Sequence, residues 1–116
     1  MTRVYRALHA CVLAAGLLLS GPSISDAADT GKLATRGKAI HEEKRGGCHA
    51  IEAVGDSPLK GAPPMRDVYS RYAPRELQAE LLEGKGSRHK EMPQIQFSEE
   101  DVDAILAYLY ALAVGK

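Results

Sequence analysis

The feature that most constrains this chain is the pentapeptide R-G-G-C-H at residues 45–49, in which a cysteine stands directly before a histidine. A run with helical character, residues 37–44, leads into it, and proline-containing segments follow. A cysteine beside a histidine is common by chance, and two preceding glycines are typical of a simple turn. The meaning of the pentapeptide therefore depends on the rest of the chain.

The amino terminus has the pattern of a secretory signal peptide. Residues 1–6 contain two arginines and no acidic residue, residues 7–20 are largely apolar, and small or turn-forming residues follow. The apolar run is shorter than the ~20 residues that a membrane-spanning helix needs, so cleavage is favoured over anchoring. The small-x-small sequence at residues 25–27 predicts cleavage after Ala27, with Ala28 as a second choice. We therefore expect a signal peptide at 1–27, a domain at 28–116, a periplasmic location and no stable membrane insertion.

Cleavage would leave Cys48 as the single cysteine of an exported protein, because Cys11 lies in the leader. A lone cysteine cannot form an internal disulfide, so its sulfur is either covalently occupied or a free thiol. The remaining chain is short enough that a bound group would usefully complete its core. Its charge is close to neutral, because loss of Arg3, Arg6 and Asp26 from the 15 basic and 15 acidic residues leaves 13 basic and 14 acidic ones. Nothing indicates the basic surface of a nucleic-acid-binding protein.

The pentapeptide differs by one residue from the signature of covalent haem attachment. With a cysteine in place of Arg45 it would be C-x-x-C-H. Cys48 could form a thioether with one haem vinyl group, and His49 could bind the iron as its proximal ligand. Arg45 offers no sulfur, so the sequence predicts one haem c held by a single thioether.

Four features in fixed order resemble the small class I c-type cytochromes over about residues 33–113. They are the helical run that ends in R-G-G-C-H, Ala62-Pro63-Pro64, Met92-Pro93 and an amphipathic carboxyl-terminal helix. The resemblance implies an all-α fold with the first and last helices packed together around one haem. It also implies that the carbonyl of Pro63 or Pro64 accepts the ring N–H of His49. A rigid proline loop with no such role remains an alternative.

The second iron ligand is predicted to be Met92. A methionine before a proline in the polar stretch 84–93 has little to pack against, whereas a thioether suits haem iron. His89 in the same stretch competes for this role, and a merely buried Met92 remains possible. Met65 is interpreted as a packing residue.

Local signals predict helices at 31–44, at 65–72, from Pro74 to a stop at Gly84, and after an N-cap at Ser98. Leu77 and Leu81 share one helix face and are core candidates. Gly37 is expected to let the first helix lie against Tyr108, although a tolerated surface glycine is equally compatible with the sequence. His41 is expected to be partly exposed, because its neighbours are charged and polar.

Three functions remain open at this point. The favoured one is an electron carrier, not an enzyme, whose partners are a dehydrogenase, an oxidase or a reductase. The second is a haem enzyme of peroxidase type or a subunit with an open iron position, although no distal acid–base pair is evident. The third is a degenerate cytochrome with weak or no haem binding, or a site for another metal formed by Cys48, His49 and His89. The paired ligand spacing of zinc sites is absent.

Overall fold

The computed structural model describes residues 24–84 and 91–115, which form four helices and contain no strand. Helix α1 is Ile24–Arg45, α2 is Met65–Arg71, α3 is Pro74–Glu83 and α4 is Glu99–Val114. The predicted all-α class is confirmed. The predicted start of the first helix at residue 31 is wrong, because helix continues back to Ile24 through a stretch without proline or glycine before Gly31.

The predicted leader and the predicted His89 ligand fall mainly outside the described residues. The predicted cleavage site at residues 25–27 lies at the start of α1. The domain boundaries at 1–27 and 28–116 stay predictions. Within the residues that the structure describes, no helix combines the length and the apolar character needed to cross a membrane.

The ends of α3 and α4 follow the signals read from the sequence. Pro74 occupies the first turn of α3, and Gly84 ends it with φ 71°, a left-handed conformation that glycine adopts at little cost. Ser98 caps α4, because its hydroxyl accepts a hydrogen bond of 3.2 Å from the backbone N–H of Asp101. These predicted boundaries are confirmed.

Helices α1 and α4 touch through their backbones at Gly37. A Cβ added there would clash with the carbonyl oxygen of Ala104 and would lie 2.8 Å from the Cβ of Tyr108. Tyr108 extends past this point, and its hydroxyl donates a hydrogen bond of 2.9 Å to the carbonyl of Ile51. The predicted contact between Gly37 and Tyr108 is therefore confirmed.

The core lies on one side of α4, where α1, α2 and α3 cover it. Val102 and Leu109 of α4 are fully buried, and Leu77 and Leu81 of α3 are buried as predicted. The N–H of Phe97 donates to the carbonyl of Leu81 at 3.1 Å, which ties the segment before α4 back to α3. The buried cluster consists of Ile51, Met65, Leu77, Leu81, Phe97, Val102, Ile105, Tyr108, Leu109 and Leu112.

Candidate functional site

A largely apolar cleft lies between the end of α1, helices α2 to α4 and the segment that carries Met92. It encloses about 650 Å³, including the part that opens to solvent. Its walls bring together residues that are far apart in the sequence. They are His41, Arg45, His49, Pro63, Met65, Val68, Tyr72, Leu77, Glu80, Leu81, Met92, Ile105 and Leu109.

His49 is fixed in position by the turn that follows α1 and by a proline carbonyl. Its backbone N–H donates to the carbonyl of Arg45 at 2.9 Å, and its side chain is only 4% exposed. Nδ1 lies 2.7 Å from the carbonyl oxygen of Pro63. A carbonyl can only accept, so Nδ1 carries the proton and Nε2 is the basic nitrogen. This arrangement orients the imidazole and makes Nε2 a stronger metal ligand.

Of the two prolines that the sequence offered, Pro63 makes the contact with His49. The carbonyl of Pro64 instead accepts a hydrogen bond of 3.0 Å from the N–H of Asp67, in the first turn of α2. Pro64 therefore starts a helix and Pro63 presents its carbonyl to the cleft. The predicted role of either residue in cofactor binding stays a prediction.

Met92 is half-buried and lines the same cleft as His49. Cys48 is also half-buried, and its backbone is held by two hydrogen bonds, from its N–H to Arg45 and from the N–H of Leu59 to its carbonyl. Cys48 is not among the residues that line the cleft, but it directly precedes His49. The structure thus brings His49, Pro63 and Met92 together and places Cys48 beside them.

Arg45 also lines the cleft. From the sequence, this residue stood out only because it stands where the haem-attachment motif would have a cysteine. Its side chain is 9% exposed, and Nη1 donates a hydrogen bond of 3.2 Å to the carbonyl of Pro93. Burial lowers the pKa of the Arg45 guanidinium, yet an arginine stays protonated in proteins. The sequence carries no signal for this burial, because Arg45 follows charged residues, and only the structure shows that it lines the same cleft as His49.

The predicted exposure of His41 is wrong, because its side chain is only 5% exposed. Its neighbours in sequence point to other faces of the helix, whereas Gly37 and Arg45 lie one turn away on its own face. Gly37 packs on α4, so His41 does too. The His41 Nδ1 donates to the carbonyl of Gly37 at 2.9 Å, and its ring lies 5.6 Å from that of Tyr108.

Burial makes His41 a source of acid sensitivity. Desolvation lowers its pKa, the Gly37 carbonyl opposes this, and the charges of Arg45 and His49 lower it further. Below its ordinary pKa of about 6.5 the unfolded chain therefore binds more protons than the folded one. Stability should fall as pH decreases from about 6.5 to the lower pKa of the folded state.

We expect His41→Phe to reduce this acid sensitivity, because phenylalanine can occupy the position beside Tyr108 without a proton to gain. The measurement is the urea midpoint of the wild type and the variant at about pH 7.5 and about pH 5.5, on either side of the ordinary histidine pKa. His49 is present in both proteins, and so are Tyr108 and Glu80, which face this region from α4 and α3. An equal loss of stability in both proteins would contradict the assignment to His41.

Four helices surround an apolar cleft whose walls hold the nitrogen of His49 and the sulfur of Met92, an arrangement compatible with a small α-helical haem-binding protein. The sequence comparison is more specific, because a model of the cytochrome c family matches residues 34–113, well over half of the chain. The chain belongs to the cytochrome c family. Its members carry an iron-containing haem c and are in general electron-transfer proteins. Neither a search of curated proteins nor one of solved structures found a match.

The residues of the cleft fit a haem with one departure. Its apolar walls, which include Leu77, Leu81 and Leu109, suit a flat aromatic ring system. His49 and Met92 carry a nitrogen and a sulfur of the kinds that haem iron accepts, and Cys48, which precedes His49 but is not among the lining residues, carries a thiol. The departure is position 45, where the family motif has its first cysteine and this chain has a buried cation.

Proposed function

We propose that this protein is a periplasmic electron carrier with one haem c, attached through Cys48 alone and ligated by His49 and Met92. The observation that supports this most strongly is that His49 and Met92 line one apolar cleft, with the Nδ1 of His49 bonded to Pro63. The location in the periplasm rests on the sequence pattern of the leader.

The two proposed ligands favour electron transfer over catalysis. The haem, when bound, supplies a reversible one-electron change at its iron. His49, fixed by Pro63, and Met92 would both bind the iron, which favours electron transfer over the binding of a substrate. A thioether ligand stabilises reduced iron relative to a second nitrogen ligand, which favours a high reduction potential.

The residues that line the cleft would affect the reduction potential of the iron. Apolar residues limit access of water, and a less polar environment disfavours the more highly charged oxidised state. The buried guanidinium of Arg45 adds a positive charge that acts in the same direction. Both effects should raise the reduction potential. The proposed partners are therefore redox proteins, such as a dehydrogenase, an oxidase or a reductase, and not nucleic acid.

Exchange of each cleft methionine tests the ligand assignment. We expect Met92→Leu to abolish the weak near-infrared sulfur-to-iron charge-transfer band of the oxidised protein and to lower its reduction potential, because leucine has no donor. Met65→Leu is the matched control, since Met65 lines the same cleft. It should retain the band.

His89→Ala distinguishes the competing ligand. If this variant changes the near-infrared spectrum while Met92→Leu does not, His89 binds the iron and the assignment to Met92 is wrong. Loss of the band on Met65→Leu alone would place the sulfur ligand on α2 instead.

A further inference from the structure

Arg45 joins two parts of the cleft that are distant in sequence. It is the last residue of α1, and its Nη1 donates to the carbonyl of Pro93, 48 residues further along the chain. Pro93 directly follows Met92. The hydrogen bond therefore lies next to the residue that we propose as the second iron ligand.

Among the described residues, the Met92 segment is held at its distal part by Ile95 and Phe97, which pack on the core, and near Met92 by the hydrogen bond from Arg45 to Pro93. Residues 91–98 contain no helix, and the N–H of Phe97 anchors their distal part to Leu81. Proline has no N–H, so the carbonyl of Pro93 is the only backbone group with which that residue can form a hydrogen bond. A bond from a charged donor is stronger than one from a neutral donor. Arg45 thus supplies a charged hydrogen-bond donor close to Met92.

The surroundings of the guanidinium favour this role over ion pairing. Among the described residues, the ion pairs formed by arginine involve Arg36, at the exposed side of α1, and none involves Arg45. The Arg45 side chain also lines a smaller pocket between α1, Leu81 and Phe97, so its aliphatic part lies beside apolar side chains of the core. Its long side chain packs along apolar surface and its head reaches the carbonyl.

We propose that Arg45 is a positioning residue that holds the Met92–Pro93 segment against the cleft. Arg45 stands where the haem-attachment motif has a cysteine. Instead of a covalent bond to the haem, it forms a hydrogen bond to Pro93, beside the proposed ligand Met92. This inference rests on the proposed function, because Met92 needs holding only if it binds the iron.

The test is the affinity of the oxidised protein for added imidazole, which binds the iron only when Met92 leaves it. Arg45→Met keeps a long side chain but removes the hydrogen-bond donor. We expect this variant to bind imidazole at least roughly tenfold more tightly than the wild type, because one charge-assisted hydrogen bond that holds the Met92 segment is lost. Arg45→Lys, which retains one charged donor, should give an intermediate affinity. Lys44→Met is the control for the loss of a nearby positive charge and should match the wild type.

A second measurement does not involve the iron. Amide hydrogen exchange at Gln94 and Ile95 should become faster in Arg45→Met and less so in Arg45→Lys, while exchange in the centre of α4 stays slow. If Arg45→Met does not fold, Arg45→Gln, whose shorter side chain does not span the same distance, carries the same expectations.

If Arg45→Met has the same imidazole affinity and the same amide exchange rates as the wild type, the proposed positioning role of Arg45 is wrong. Tighter imidazole binding that Lys44→Met shows to the same extent would also overturn it, because charge alone would then be responsible. Failure of the proposed function looks different. In that case the wild-type protein itself lacks the sulfur-to-iron band, and Met92→Leu leaves its spectrum unchanged.

Discussion

Gly37→Ala is expected to destabilise the protein by roughly 2 kcal/mol or more, although alanine favours a helix over glycine by about 1 kcal/mol. The added Cβ would lie 2.6 Å from the carbonyl carbon of Ala104 and would clash with its oxygen. Backbone atoms cannot turn away as the end of a side chain can. Helices α1 and α4 would have to separate, which would also disturb the packing of His41 on Tyr108.

Gly31→Ala is the matched control for this prediction, because Gly31 lies in the same helix and a Cβ there would have no atom within 4 Å. It should leave stability unchanged or raise it by up to about 1 kcal/mol. Urea unfolding of the haem-loaded proteins gives both values. Midpoints that shift in the same direction and by the same amount would show that α1 and α4 do not meet at Gly37.

Cys48→Ala is expected to abolish covalent haem attachment completely. Cys48 is the one cysteine of the predicted mature chain, and Arg45 cannot form a thioether. The proposed ligands His49 and Met92 are unchanged in this variant, so we expect it to emerge coloured but to lose all of its haem to acid–acetone. The wild type should keep its haem through the same extraction.

Cys11→Ala is the control, since Cys11 is the other cysteine of the sequence and lies in the predicted leader. This variant should retain its haem as the wild type does. Haem that stays with the Cys48→Ala chain after extraction would mean that another residue forms the covalent bond.

The sequence predicted those parts of the fold whose signals are local. A proline at the start of α3, a glycine at its end and a serine before α4 act on adjacent backbone groups, so their effects do not depend on the remainder of the chain. The core positions Leu77 and Leu81 also follow from their spacing on one helix face. The contact at Gly37 required the family resemblance in addition.

The burial of His41 and Arg45 could not be predicted in this way. Their sequence neighbours are charged, and only the position of α4 and of the Met92 segment shows which face of α1 is covered. His41 is buried because it packs on Tyr108 of α4, and Arg45 because it reaches Pro93, and the sequence of α1 alone shows neither contact. The sequence predicted a site of Cys48, His49, Met92 and Pro63 or Pro64, and the structure brings His49, Pro63 and Met92 to one cleft. The hydrogen bond from Arg45 to Pro93 was not predicted.

The most direct test of single attachment is the spectrum of the reduced haem in alkaline pyridine, taken from wild-type protein made in a host that matures c-type cytochromes. One remaining vinyl group extends the conjugated system, so the band should lie to the red of that of a doubly attached haem. Arg45→Cys should move it to the blue by forming the second thioether. A colourless wild-type protein, or a band at the position of doubly attached haem, would contradict the account.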